Sequence, residues 1–149
     1  MRRLIARCTI GLAAAFLLAG SGLAGEKKLM HCFYFTPVKT ATEADWQAFF
    51  KATDDLPNQI PGLSRVWYGK LRRNLVVFNP DGETRKKAAA GGTVTGQVTQ
   101  VVREFGVCME LADEAALNAY AKHPAHTKWN EIYSKVREPG TTTMDILGQ

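Results

Sequence analysis

The chain has 149 residues, a length that suits one domain with an ordinary hydrophobic core. Its formal net charge is +5, but three basic residues lie within the first seven positions, and the remainder carries only +2. A charge this small gives no indication of a nucleic-acid partner. Hydrophobic residues make up 46% of the chain, which is compatible with a compact globular protein.

Residues 1–24 have the pattern of a secretory signal peptide. Arginines come first, an apolar run from Ile10 to Ala19 follows, and small residues occupy the predicted cleavage position. Because the apolar run is short for a membrane span, we expect cleavage rather than anchoring. The sequence therefore predicts an exported protein, periplasmic or extracellular, with a single domain over residues 25–149 and no membrane association after cleavage.

Hydrophobic periodicity predicts four strands and three helices beyond the signal. The strands are expected at residues 29–36, 64–71, 101–111 and 141–147, and the helices at 42–56, 113–123 and 124–136. Thr42 and Asp45 resemble a capping box at the start of the first helix. Pro57 is expected to end that helix, since proline cannot donate the next helical hydrogen bond.

Residues 72–100 form an insertion between the second and third strands. The segment 74–78 either continues the second strand or makes another, and Asn79-Pro-Asp-Gly82 has the composition of a turn. Residues 83–100 are polar and rich in glycine, with a basic triplet at 85–87 that is typical of a solvated loop. We expect this region to be exposed and partly flexible.

The predicted order of elements is that of an α+β, ferredoxin-like (βαββαβ) sandwich with a split second helix. Alternation along the first strand places His31 and Phe33 on the face under the helices. Met30 and Tyr34 point to the opposite face, which is also apolar and therefore needs a cover. A second copy of the sheet would supply that cover, so we expect a homodimer.

Two cysteines remain after removal of the signal, Cys32 and Cys108, and both fall on predicted strands. Their spacing matches neither a zinc site nor a redox pair. We expect two buried thiols that behave as small apolar side chains, although an exported protein can also form a disulfide.

The stretch from Asn118 to Trp129 contains the side chains that are best suited to catalysis. Pro124 should end one helix and begin the next, which places His126 in a tight corner near Tyr120. His123 is expected to be exposed or to cap a helix. The His-Pro-Ala-His spacing does not hold both rings on one helical face, and no acidic or cysteine cluster accompanies them, so no metal site is expected.

Several short motifs together resemble the Dabb family, the stress-responsive dimeric α/β-barrel proteins. They are His31 on the first strand, Ile60-Pro-Gly-Leu63, Trp67-Tyr-Gly69 and Tyr120-x-x-His-Pro-x-His126. The resemblance implies a ferredoxin-like protomer whose sheet pairs with another to form a dimeric barrel.

A more distant resemblance is to polyketide cyclases of the olivetolic acid type, which use no cofactor. It implies catalytic roles for His126 and Tyr120 and a pocket role for His31. Phe105 and Thr53 stand where such cyclases have a histidine and a tyrosine, so the pocket here is less polar.

Two functions remain open, and with them the question whether the protein is an enzyme. One is a dimer that binds a small apolar or aromatic molecule, or has a structural role, without catalysis. Its apolar pocket would be lined by Phe33, Phe35, Phe49, Thr53 and Phe105. The other is a cofactor-independent lyase or cyclase in which His126 and Tyr120 act as an acid/base pair beside His31. A buried hydrogen-bond network that fixes the corner would also account for these residues.

Overall fold

A computed structural model describes residues 28–148 as one α+β unit. The predicted signal, residues 1–24, lies outside the described residues. The elements in chain order are β1 (Leu29–Phe35), α1 (Glu43–Gln59), β2 (Leu63–Pro80), α2 (Gly82–Ala89), β3 (Val98–Leu111), α3 (Glu114–Lys122), α4 (Pro124–Tyr133) and β4 (Thr142–Leu147). Within this range no helix is long and apolar enough to cross a lipid bilayer.

The four strands form one antiparallel sheet in the order β2-β3-β1-β4. Helices α1, α3 and α4 pack on one face of it. This arrangement confirms the predicted ferredoxin-like fold. Central strand β1 pairs with both β3 and β4, so that its residues from Leu29 to Tyr34 have a neighbour on two sides.

The core lies between the sheet and these helices and is mainly aromatic. Phe35 contacts Phe49 edge to face at 6.0 Å between ring centroids and Tyr133 at 5.0 Å. Trp129 donates from Nε1 to Thr53 Oγ1 at 2.9 Å, and Thr53 Oγ1 donates to the Phe49 carbonyl at 2.7 Å. The buried hydroxyl of Thr53 is therefore satisfied both as an acceptor and as a donor.

Helix α1 begins as predicted and ends later than predicted. Thr42 and Asp45 form the expected capping box. Pro57 does not end the helix, which continues to Gln59. Leu56 and Ile60 are both fully buried and Ile60 N–H bonds to the Leu56 carbonyl, so packing holds the last turn despite the missing proline donor.

Residues 72–100 are exposed over most of their length, as predicted, but they contain more regular structure than the sequence indicates. The segment 74–78 continues β2, and after a register shift between Lys70 and Leu75 the pairing of β2 with β3 resumes as far as Pro80 and Val98. The predicted turn instead supplies Asp81, which caps α2 by accepting from Thr84 N–H. We call the paired segments 75–80 and 98–103, with α2 at their tip, the β-arm.

Sequence periodicity could not define the β-arm, because it contributes almost nothing to the core. Helix α2 has no buried residue, and Phe78 is 60% exposed. The apolar side chains of the β-arm at Val76, Phe78 and Val98 share the sheet face that the helices leave uncovered.

The prediction that Cys32 and Cys108 are separate thiols was also wrong, because they form a disulfide. They are direct partners in the pairing of β1 with β3, with Cα atoms 4.1 Å apart on the uncovered face. The sequence could not give the register between two strands that are 76 residues apart.

Candidate functional site

A cavity of about 160 Å³ opens between the end of the sheet and helices α3 and α4. Polar and aromatic side chains dominate its wall. They are His31, Phe33, Tyr120, His126, Trp129, Asn130, Tyr133, Arg137, Thr141 and Thr143. All three residues predicted as catalytic therefore line one cavity, at the position where β1 passes beneath the corner between α3 and α4.

His31 is held by a carboxylate from the neighbouring strand. It lies opposite Asp145 in the pairing of β1 with β4, and the Nδ1–Oδ1 distance is 2.6 Å. An ionised carboxylate can only accept, so Nδ1 carries the proton in the neutral ring and Nε2 is left as the acceptor. A carboxylate in this position fixes the tautomer and stabilises the imidazolium that forms when Nε2 takes a proton.

Tyr120 and His126 meet because Pro124 interrupts the helix between them. Tyr120 lies in the last turn of α3 and His126 in the first turn of α4, with ring centroids 4.3 Å apart. The centroid of Tyr120 is also 5.9 Å from that of His31, so the tyrosine stands between the two histidines.

Burial shifts the pKa values of Tyr120 and His126 in opposite directions. It raises the pKa of Tyr120 well above its ordinary value, so the hydroxyl keeps its proton at neutral pH. Burial also lowers the pKa of His126, against a smaller rise from its bond to the Ala121 carbonyl. His126 Nδ1 donates to that carbonyl at 3.3 Å, which leaves its Nε2 as the acceptor. The site thus combines a protonated phenol with two imidazole acceptors.

The third histidine caps a helix, as predicted. His123 is the N-cap of α4, and its Nδ1 accepts from the Ala125 N–H at 3.1 Å. Pro124 follows at the first helical position, where a missing N–H has no cost. His123 therefore shapes the corner and does not line the cavity.

The predicted apolar pocket is filled. Phe35, Phe49, Thr53 and Phe105 are buried against one another and against the helices, and none of them lines the polar cavity or the two larger grooves described below. Aromatic volume accounts for this, since adjacent large rings occupy the space that a ligand would need. Only Phe33 of the five predicted pocket residues reaches the polar cavity.

Sequence reasoning missed several residues of the site. Asp145 was given no role there, because its contact with His31 depends on a strand register that the sequence does not give. Tyr133 and Arg137 line the cavity but belong to none of the sequence motifs. A parity argument on the last strand would have placed Thr143 and Asp145 on one face.

Two larger grooves lack such a convergence of polar groups. One of about 360 Å³ lies between α1 and α4, with Ala48, Ala52 and Ile132 in its wall and the exposed Lys51–Asp55 ion pair at its rim. The other, also about 360 Å³, lies on the uncovered sheet face beside Trp67. Within residues 28–148 no group of three or more His, Cys, Asp or Glu side chains could hold a metal ion.

No family model and no curated protein matches the sequence. Solved structures do resemble the described chain. A Dabb family protein with a ferredoxin-like fold from Mesorhizobium loti is 17% identical, with a TM-score of 0.55 over 83% of this chain and 99% of that one. The chain therefore has a ferredoxin-like fold similar to that of this Dabb family protein.

Two further solved structures share this ferredoxin-like fold. A dimeric ferredoxin-like protein of unknown function from Thermobifida fusca is 19% identical, with a TM-score of 0.54 over 82% of this chain and 92% of that one. The hydroxynitrile lyase of Passiflora edulis is 9% identical, with a TM-score of 0.57 over 84% of this chain and 95% of its own. At these identities the comparisons establish the ferredoxin-like fold and leave the reaction to be argued from the site.

Proposed function

We propose that this chain is an exported, homodimeric protein of the Dabb fold whose polar cavity binds a small molecule and transfers protons to and from it. The activity would be that of a cofactor-independent lyase or cyclase. The observation that carries the proposal is the convergence of His31, Tyr120 and His126 on one cavity. Because its volume is about 160 Å³, below that of pockets for drug-sized ligands, the substrate is small.

Each of the three side chains has a distinct role in this proposal. The protonated hydroxyl of Tyr120 donates a hydrogen bond to a substrate oxygen and stabilises negative charge on it. Nε2 of His31 is the main base, since Asp145 stabilises the imidazolium that results. His126 stays neutral beside Tyr120 and positions the phenol.

A lyase step with these groups balances without a cofactor. His31 Nε2 takes the proton of a substrate hydroxyl, the adjacent C–C bond breaks, and the hydroxyl carbon becomes a carbonyl. The electron pair of the broken bond leaves with the second fragment, which then takes the proton back. Cyclisation by an aldol step is the same sequence in reverse within one molecule.

The test is a panel of small β-hydroxy carbonyl compounds and cyanohydrins, with aldehyde release followed by absorbance. Mandelonitrile belongs in the panel because one protein that shares the fold is a hydroxynitrile lyase. We expect turnover that Tyr120→Phe lowers by about a hundredfold or more. Asp145→Asn should lower it as well, because the amide no longer fixes the His31 tautomer.

The matched control is Tyr34→Phe, on the opposite face of the sheet. It removes the same hydroxyl group from a tyrosine that does not line the cavity. If no member of the panel is turned over, or if Tyr120→Phe keeps the wild-type rate, the lyase proposal fails.

Binding without chemistry is a second candidate, and the bond between His126 and the Ala121 carbonyl favours it, because it ties one histidine into the protein. In that case the cavity would hold a ligand that is released unchanged. Native mass spectrometry of protein purified from an exporting host distinguishes the two: a bound ligand that survives incubation unchanged supports binding alone.

Three observations support export and dimerisation. Disulfides persist mainly in oxidising compartments, and Cys32 and Cys108 are bonded. The uncovered sheet face exposes Trp67, Met144 and Ile146, and the β-arm extends that apolar surface. The similar protein from Thermobifida fusca is described as dimeric. A second copy on this face would bury both surfaces.

A further inference from the structure

Two buried polar atoms at one end of the cavity have no hydrogen-bond partner within residues 28–148. They are Tyr133 Oη and Arg137 Nε. Both residues line the cavity, and the Arg137 guanidinium carbon lies 4.7 Å from the centre of the Tyr133 ring. Tyr133 is 3% exposed. Buried donors are nearly always paired in native proteins, so a pair of unpaired donors at one cavity indicates a missing acceptor.

A buried positive charge lies behind them. Arg103 on β3 is 5% exposed, and it donates only to hydroxyl groups, from Nε to Thr142 Oγ1 at 3.2 Å and from Nη1 to Thr36 Oγ1 at 3.3 Å. Within the described range neither Arg103 nor Arg137 forms an ion pair with a carboxylate. Buried charges are normally paired, because desolvation is costly.

The two arginines act on the same small region. Arg137 forms an isolated β-bridge with Pro37. The next residue, Glu138, donates its N–H to the carbonyl of Thr36, and the hydroxyl of Thr36 accepts from Arg103. Both guanidinium groups also act on the hydroxyl of Tyr133, where their charges oppose the rise in pKa that burial causes. This end of the cavity is therefore rich in donors and positive charge.

We propose that this end of the cavity binds the carboxylate of a small organic acid, with Arg137 as its principal partner, the Tyr133 hydroxyl as a second donor, and Arg103 as the buried charge behind them. This proposal rests on the proposed function for the chemistry at the other end of the cavity, where the carbon skeleton of the acid would reach His31 and Tyr120. It names the class of substrate for that function.

A monocarboxylate fits this site better than a larger or more highly charged anion. The guanidinium is planar and pairs with a carboxylate through two parallel hydrogen bonds. The cavity is small, and the carboxylate of Asp145 beside His31 would repel a second negative charge on the ligand. The long side chain of Arg137 can turn toward the ligand, which brings its unpaired Nε–H to the carboxylate.

The test uses sodium benzoate and sodium propionate as probes, with benzamide and propionamide as neutral molecules of the same shape. The signal of the Arg137 Nε–H in proton–nitrogen NMR spectra reports contact directly. We expect both acids to bind and to shift that signal, and each amide to bind at least about tenfold more weakly. Equal binding of acid and amide would overturn the proposal.

Substitutions assign the contact. Arg137→Gln should weaken benzoate binding by about tenfold or more, whereas Arg73→Gln, at an exposed position of β2, should leave it unchanged. Thermal melts check that each variant is folded. If Arg137→Gln does not fold, Tyr133→Phe replaces it, with a severalfold loss expected. Unchanged benzoate affinity in the folded variant, or tighter binding of inorganic phosphate than of benzoate, contradicts the assignment.

The two proposals can fail separately. Tyr120→Phe should retain benzoate affinity while it loses turnover. Acid-selective binding that depends on Arg137, in a protein that turns over no member of the panel, would sustain the carboxylate site and refute the lyase. Turnover by a protein that binds acids no better than neutral molecules would sustain the lyase and refute the carboxylate site.

Discussion

The disulfide between Cys32 and Cys108 should be a major source of stability. It closes a loop with a sequence separation of 76 residues. In the chain-entropy account, closing a loop of that length destabilises the unfolded chain by about 4.5 kcal/mol at 25 °C. The entropy of unfolding scales with chain length. For the roughly 120 described residues, a loss of that size lowers the melting temperature by about 18 °C.

Equilibrium unfolding in urea, with and without a phosphine reductant, measures this contribution. Wild-type protein should lose about 4.5 kcal/mol of unfolding free energy when reduced. The double variant Cys32→Ala, Cys108→Ala should be insensitive to reductant, and Cys8→Ser, within the predicted signal, should behave as wild type. If reductant leaves the wild-type transition where it was, either the disulfide is absent or its loop carries no such entropy.

Three further predictions follow from the core, the site and the uncovered sheet face. Thr53→Val leaves the Trp129 indole N–H without an acceptor and should lower the unfolding free energy by about 2 kcal/mol in urea titrations. The loss should be larger than that caused by Thr53→Ser. Equal stability of Thr53→Val and the wild type would contradict this hydrogen-bond network. Since burial lowers the pKa of His126, the unfolded state binds its proton more tightly, and stability should fall as pH drops below about 6.5. His126→Gln should flatten the dependence of urea midpoint on pH, and an unaltered slope would show that the ring is not desolvated. Trp67→Glu should weaken self-association by about tenfold or more in analytical ultracentrifugation, whereas Lys135→Glu should leave it unchanged. A wild-type protein that is monomeric at micromolar concentration would refute the dimer.

Local patterns predicted the fold because each one has a direct physical consequence. The capping box at Thr42, the alternation around His31 and Phe33, and the break at Pro124 each act within a few residues. They placed Tyr120 and His126 on either side of one corner, and the structure brings His31 to the same cavity. These are the parts of the site that the sequence could predict.

The features that could not be predicted from the sequence depend on strand register and on side-chain volume. The bond between Cys32 and Cys108 and the contact between His31 and Asp145 both require knowledge of which residues face each other on paired strands. The filled apolar pocket is a question of volume, because the same rings that suggest a pocket also fill it. Pro57 lies inside a helix because burial of the flanking turn outweighs a lost hydrogen bond.

The central claim is that the cavity at His31, Tyr120 and His126 is where this protein meets its small-molecule ligand. The most direct measurement is a crystal structure of the protein soaked with benzaldehyde, a product of mandelonitrile cleavage. The account predicts the aldehyde oxygen within hydrogen-bond distance of Tyr120 Oη, with the carbonyl carbon facing an imidazole nitrogen. Benzaldehyde bound only in the groove between α1 and α4, or only on the uncovered sheet face, with the polar cavity empty, would contradict it.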